Sequence, residues 1–119
     1  MTLLAGAVRE VHPVYYVADL ERSVDFYTNK LGLNQAWKFG DDIVGIQVLP
    51  GFLIVLCKGK GRVWSEQTPG LVFTVEDIDR LYKELQQRGV TFSGPPVERP
   101  YGRIATFKDP DGYSFDLCG

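Results

Sequence analysis

A single histidine, His12, and two cysteines, Cys57 and Cys118, are all that this 119-residue sequence offers of imidazole and thiol ligands. The cysteines form no C-x-x-C pair, and one bridge would be a thin framework, so both are read as reduced thiols. No apolar run approaches the ~20 residues that cross a bilayer. Met1 to Glu10 lacks the charged, apolar and cleavage segments of a signal peptide. These absences argue against a membrane span and predict a cytoplasmic location. The net charge of −2 is too small and of the wrong sign for a nucleic-acid surface. It leaves room for a cationic small molecule.

What is present is an ordinary globular composition, 45% hydrophobic and 24% charged, in a chain of one-domain length spanning 1–119. Val11 to Val17 reads as a strand and Asp19 as a helix N-cap. Leu20, Val24, Tyr27 and Leu31 make one apolar helical stripe that Gly32 ends. Strands follow at Leu33 to Phe39, Ile43 to Leu49 and Phe52 to Cys57, separated by Gly40-Asp41-Asp42 and Pro50-Gly51 turns. Lys58 to Pro69 breaks the pattern and reads as a linker or a closing loop. Then the order begins again: a strand from Gly70 to Val75, an N-cap at Asp77, and a stripe of Ile78, Leu81, Tyr82 and Leu85. Gly89 ends that helix, Val90 to Phe92 reads as a short strand, and Gly94-Pro95-Pro96 and Arg99-Pro100-Tyr101-Gly102 are breakers. A hairpin closes the chain, Ile104 to Phe107 and Tyr113 to Leu117, with Pro110 and Gly112 in its turn.

The two halves align by subtraction. Val17 maps to Val75, Asp19 to Asp77, Leu20 to Ile78 and Arg22 to Arg80, each 58 positions on. Leu33 maps to Val90 after one residue is dropped, and Leu56 and Cys57 map to Leu117 and Cys118, 61 positions on. Each half is therefore strand, helix and three strands: a first module at about 8–57, a linker at 58–69 and a second module at about 70–118. Neither module has enough core alone, so they must pack together or against another chain. Alternation puts Tyr15, Val17, Ile54, Leu56, Leu71, Phe73, Val75, Phe115 and Leu117 under the helices. The other face carries His12, Val14 and Tyr16, then Leu53, Val55 and Cys57, then Gly70, Val72 and Thr74, and finally Ser114, Asp116 and Cys118. That face is too apolar for open solvent and too polar for a plain core, which suits a small ligand in a curved sheet.

The run Val17-Ala-Asp-Leu-Glu-Arg-Ser-Val-Asp-Phe-Tyr-Thr-Asn-Lys-Leu-Gly resembles the first-module signature of the vicinal oxygen chelate superfamily. That superfamily contains glyoxalase I, the bleomycin resistance proteins and the extradiol dioxygenases. Phe107-Lys-Asp-Pro-Asp-Gly-Tyr-Ser-Phe-Asp-Leu resembles its second-module signature. The resemblance covers about residues 10 to 118 and implies an α+β fold of two βαβββ modules around a cup, commonly a homodimer. In the metal-dependent members, ligands stand on the first and last strands of each module. His12 matches one such position. Its repeat mate, usually a second histidine, is Gly70. Asp116 stands where glutamate is usual, and Val55 cannot ligate. One imidazole and one carboxylate are too few for a catalytic Zn, Ni, Mn or Fe ion, which takes three or four protein ligands. No metal cofactor is therefore expected, with His12 and Asp116 as the ligands if there is one.

His12 is a candidate general base or hydrogen-bonding group, since imidazole titrates near neutrality; it reads equally as a structural histidine. Asp116 could pair with a ligand cation, or structurally with Arg103. Trp64 and Tyr101 sit in irregular segments where no core demands a large ring, and suit stacking on a planar ligand or a dimer interface. Gln47 could reach the cup floor, whereas Trp37, on a regular strand, reads as packing. Three functions compete: a metal-free dimer that binds a small aromatic or antibiotic-like molecule, a metal-dependent lyase, isomerase or dioxygenase, and a metal-free enzyme using His12 as base.

Overall fold

The structure, a computed structural model, describes residues 3–59 and 70–119. After a short helix α1 (Leu3–Ala7), strand β1 (Val14–Val17) leads into helix α2 (Leu20–Asp25) and then β2 (Asn34–Phe39), β3 (Ile43–Leu49) and β4 (Phe52–Lys58). The second half runs β5 (Leu71–Thr74), α3 (Ile78–Gln87), β6 (Val97–Arg99), β7 (Gly102–Lys108) and β8 (Ser114–Cys118). Two four-stranded sheets result, β1-β4-β3-β2 and β5-β8-β7-β6. In each, the first and last strands are parallel and the other pairings are antiparallel. This is the α+β paired-module fold expected from the sequence. The side chains of Asp19 and Asp77 accept hydrogen bonds from the backbone N–H of Arg22 and Arg80, as N-caps do.

The register repeats along with the elements. Val14 opposite Val55 has its counterpart in Val72 opposite Asp116, and Gly45 opposite Val55 in Thr106 opposite Asp116. The single dropped residue is accounted for in the first helix. Phe26–Lys30 widens into a π-helical turn, closed by Leu31 N–H on Phe26 C=O at 2.9 Å. That turn absorbs one extra residue without moving the strands, and it leaves the adjacent Phe26 and Tyr27 both buried.

The second strand of the second half is not where the sequence suggested. Val90 N–H caps α3 by bonding Leu85 C=O at 3.0 Å, and Phe92 makes only an isolated bridge to Phe107. The strand is Val97–Arg99 instead, turning through Pro100 and Tyr101 back into β7. Pro96 is tolerated just before it because β6 is an edge strand and that N–H is not needed.

The helix-side faces of both sheets share one core. Tyr15, Val17, Ile46, Ile54 and Leu56 of the first half cluster with Ala105, Phe107, Phe115 and Leu117 of the second, all buried. Aromatic contacts cross between halves: Tyr15 stacks on Tyr113 with centroids 4.6 Å apart, and Tyr27 meets Phe115 edge-on at 6.0 Å.

The junction is locked by the turn Asp109-Pro110-Asp111-Gly112. Gly112 takes φ +90° there, a conformation open to glycine. Asp109 accepts from the backbone N–H groups of Asp111 and Tyr113 with one oxygen, and from the Tyr27 hydroxyl at 2.7 Å with the other. Asp111, its side chain 2% exposed, accepts from Ala18 N–H at 3.1 Å and Ser23 Oγ at 3.2 Å and meets Arg22 Nη2 at 3.3 Å. The second half thus reaches into the entry of the first half's helix. Burial raises the Asp109 carboxyl above its usual range, opposed by the bonds from Tyr27 and Tyr113 and reinforced by Asp111. Burial likewise pushes the Tyr15 hydroxyl up to about 12, with Asp109 and Tyr113 adding to it.

Two outcomes follow for stability. Tyr27→Phe removes the donor to a buried carboxylate, and Asp111→Ala leaves Ala18 N–H and Ser23 Oγ without their acceptor. Each is expected to cost about 1.5–3 kcal/mol in urea unfolding. Because the folded Asp109 binds its proton more tightly than the unfolded chain does, its favourable contribution is complete below the unfolded pKa of about 3.9. That contribution is lost as pH rises through the raised folded value. Asp109→Asn, neutral throughout, should remove this segment of the stability–pH curve; an unchanged curve would exclude the assignment.

Candidate functional site

With the helix-side faces opposed, the other two faces turn away from the shared core. On the first sheet, register and alternation put Val14, Tyr16, Leu53, Val55, Ile43, Gly45 and Gln47 on the outward face. Trp37 and Phe39 join them, opposite Gly45 and Ile43. Gly45 is essential to this layout: a Cβ there would lie 2.4 Å from the Trp37 indole, so the ring lies across the bare glycine. Phe39, 68% exposed, sits beside it with centroids 5.2 Å apart. The sequence reading assigned Trp37 to packing, and the structure places it on the outward face. The signal was Gly45 in mid-strand, which marks a close approach, but its partner is visible only once the register is known.

The second outward face carries Val72, Thr74, Ser114, Asp116, Cys118, Ile104 and Thr106. Asp116 is half-buried and its partner is Thr106, whose hydroxyl donates at 2.6 Å. The pairing with Arg103 considered from sequence does not form. The Arg103 guanidinium engages Asp79 on α3 and Glu98 on β6, so it belongs to the helix side of the sheet.

The remaining candidates are scattered. His12 continues β1 toward Leu53 and is exposed, with Nδ1 3.4 Å from Glu10. Gln47 is exposed opposite Leu53. Tyr101 projects from the β6–β7 turn, 71% exposed. Trp64 lies outside the described residues. His12 and Asp116 stand on the outward faces of different sheets, so a single hollow holding both requires two outward faces brought together. Cys57 and Cys118 are free thiols on those same faces, and burial pushes the Cys57 thiol up.

The arrangement also tests for a metal. Among the described residues no three of His, Cys, Asp and Glu stand together as a metal site. At Gly70, the repeat mate of His12, a Cβ would stand 2.7 Å from the Ser114 carbonyl oxygen. The position is closed by backbone as well as lacking a ligand. Among the described residues, the donors brought together within one chain are too few for a catalytic divalent ion.

Two β-α-β-β-β modules, packed helix side to helix side and presenting outward apolar faces, define the class. The family model of the Glyoxalase/Bleomycin resistance protein/Dioxygenase superfamily matches residues 9–117, and the chain belongs to that superfamily. It is similar to the crystal structure of UcmS2, with TM-score 0.77 and 30% identity over 92% of this chain and 96% of that one. It is also similar to TnmS3, an antibiotic binding protein from Streptomyces sp. CB03234, with TM-score 0.74 and 27% identity over 92% and 93%. Among curated proteins, the uncharacterized YetH of Bacillus subtilis is 30% identical over 86% of this chain and 90% of its own. Lactoylglutathione lyase GLX1 of Arabidopsis thaliana is 29% identical over 92% of this chain but only 43% of its own length.

The closure at Gly70 is measurable. Gly70→Ala must displace the Ser114 backbone, and a loss of roughly 1–3 kcal/mol is expected. A variant as stable as the parent would show that the space is open.

Proposed function

We propose that the protein is a metal-free binder of a small, flat, apolar or aromatic molecule, held in a cup made by the outward faces of two sheets from two copies of the chain. The observation that carries this is the first outward face. Val14 is 45% exposed, Tyr16 38% and Phe39 68%, beside the Trp37 ring laid over Gly45. Val72 on the second sheet is 56% exposed. So much apolar sheet surface needs a cover, and the helix-side faces are already used within the chain. A second copy would supply a second-module face opposite a first-module face. His12, Gln47 and Asp116 would then share the hollow, with Asp116, held by Thr106, as the polar anchor for a cationic group. The likeness to an antibiotic binding protein supports a ligand of this kind. No helix among the described residues is long and apolar enough to cross a membrane, which is compatible with the cytoplasmic location we propose.

A second reading, a divalent-metal lyase or isomerase using His12 and Asp116, is favoured by the similarity to lactoylglutathione lyases, including that of Salmonella typhimurium at 28% identity over 92% of this chain. In the dimer the two ligands would come from different copies. Elemental analysis of the purified protein separates the two readings: stoichiometric metal, lost in His12→Ala, would replace the first with the second.

For the binding reading, sedimentation should give a dimer. A planar aromatic cation such as ethidium should quench Trp37 saturably, and Trp37→Ala should weaken its binding at least tenfold, as loss of a stacking ring does. A monomer, or unchanged affinity in Trp37→Ala, would overturn it.

A further inference from the structure

The duplicated register supplies an internal control that singles out a second binding place. At the locked junction, Asp109 and Tyr113 of the last hairpin meet Tyr27 and Tyr15, and Asp111 meets Ser23. The repeat offsets of 61 and 58 positions give the counterpart of each of these six residues. Asp109, Asp111 and Tyr113 become Val48, Pro50 and Phe52; Tyr27, Tyr15 and Ser23 become Leu85, Phe73 and Leu81. All but Pro50 line one cavity of about 510 Å³. Its remaining walls include Leu31, Leu33, Leu71 and Leu117, and apart from Thr74 every lining residue is apolar.

The same contact between hairpin turn and helix entry is therefore made twice in the chain, with opposite outcomes. On one side carboxylates, hydroxyls and stacked rings close it. On the other, the polar pairs are replaced by aliphatic ones and the junction stands open. Burial records the difference. Tyr15 and Val17 are 3% and 0% exposed, whereas their mates Phe73 and Val75 are only half-buried. Nothing in the walls can pair with a charge, so a charged guest would have to shed its hydration unpaid.

We infer that this hollow is a binding site for an uncharged hydrocarbon-like molecule, an alkyl chain or fused ring system of roughly ten to fifteen carbons at ordinary pocket filling. It lies on the helix side of the second sheet and shares no part of its floor with Trp37. It meets the outward-face site proposed above along β5, where Val72 and Thr74 also line it, but none of its walls belongs to the first sheet's outward face that carries Trp37.

The test uses 1-decanol with the intact protein and methyl NMR. Saturable shifts should appear at Leu49, Leu81 and Leu85, with Val14 and Val55 unmoved. Leu49→Glu places a carboxylate at the rim, where Leu49 is 62% exposed, so folding is untouched and affinity should fall at least fivefold. Leu81→Trp, which fills the hollow, should abolish binding. Trp37→Ala should leave decanol binding unchanged, which separates this site from the outward one. Non-saturable shifts, shifts confined to Val14 and Val55, an unaffected Leu49→Glu, or binding that vanishes as rising protein concentration seats a second copy on the hollow would each overturn the inference.

Discussion

Two carboxylates in one four-residue turn hold the architecture together. Asp109 ties the turn to itself and to Tyr27, and Asp111 takes over backbone and side-chain donors at the start of the other module's helix. Because both acids are buried against donors, the turn fits in one orientation only, and that orientation decides which sheet faces meet. Once the helix-side faces are opposed, the remaining faces must look outward. The exposure of Tyr16, Phe39 and Val72 follows from the lock.

This explains why the closing motif of the sequence speaks so clearly about fold and so little about function. Lys108-Asp109-Pro110-Asp111-Gly112-Tyr113 is a structural device: the acids join the modules, Pro110 and Gly112 shape the turn, and Tyr113 stacks on Tyr15 while its hydroxyl donates to Tyr16 C=O at 2.8 Å. From Asp109 to Tyr113 these contacts are made toward the other module rather than on an outward face.

Element order, both N-caps, the face assignments and the duplicated register were legible, because they rest on local periodicity and on subtraction between halves. The short strand at Val97–Arg99 was not, since its edge position forgives a preceding proline and gives no apolar alternation. The layout of the outward face was harder still. Trp37 lies flat on it because a glycine stands across from it on β3, and Arg103 turns to the helix side because Asp79 lies under it on α3. Both are cross-element facts that no local pattern carries. The widened turn at Phe26–Lys30 was visible only as a one-residue discrepancy between the repeats.

Equivalent junctions with unlike chemistry also set the grammar of assembly. A second-module hairpin offered to another second module would press Asp109 and Asp111 onto Leu81 and Leu85, stranding two negative charges in hydrocarbon. A first-module hairpin offered to another first module would leave Ser23 and Tyr27 facing valine and proline. Each half therefore rejects its own kind at this contact, and a newly made chain crowded among identical copies is steered toward pairing unlike with unlike.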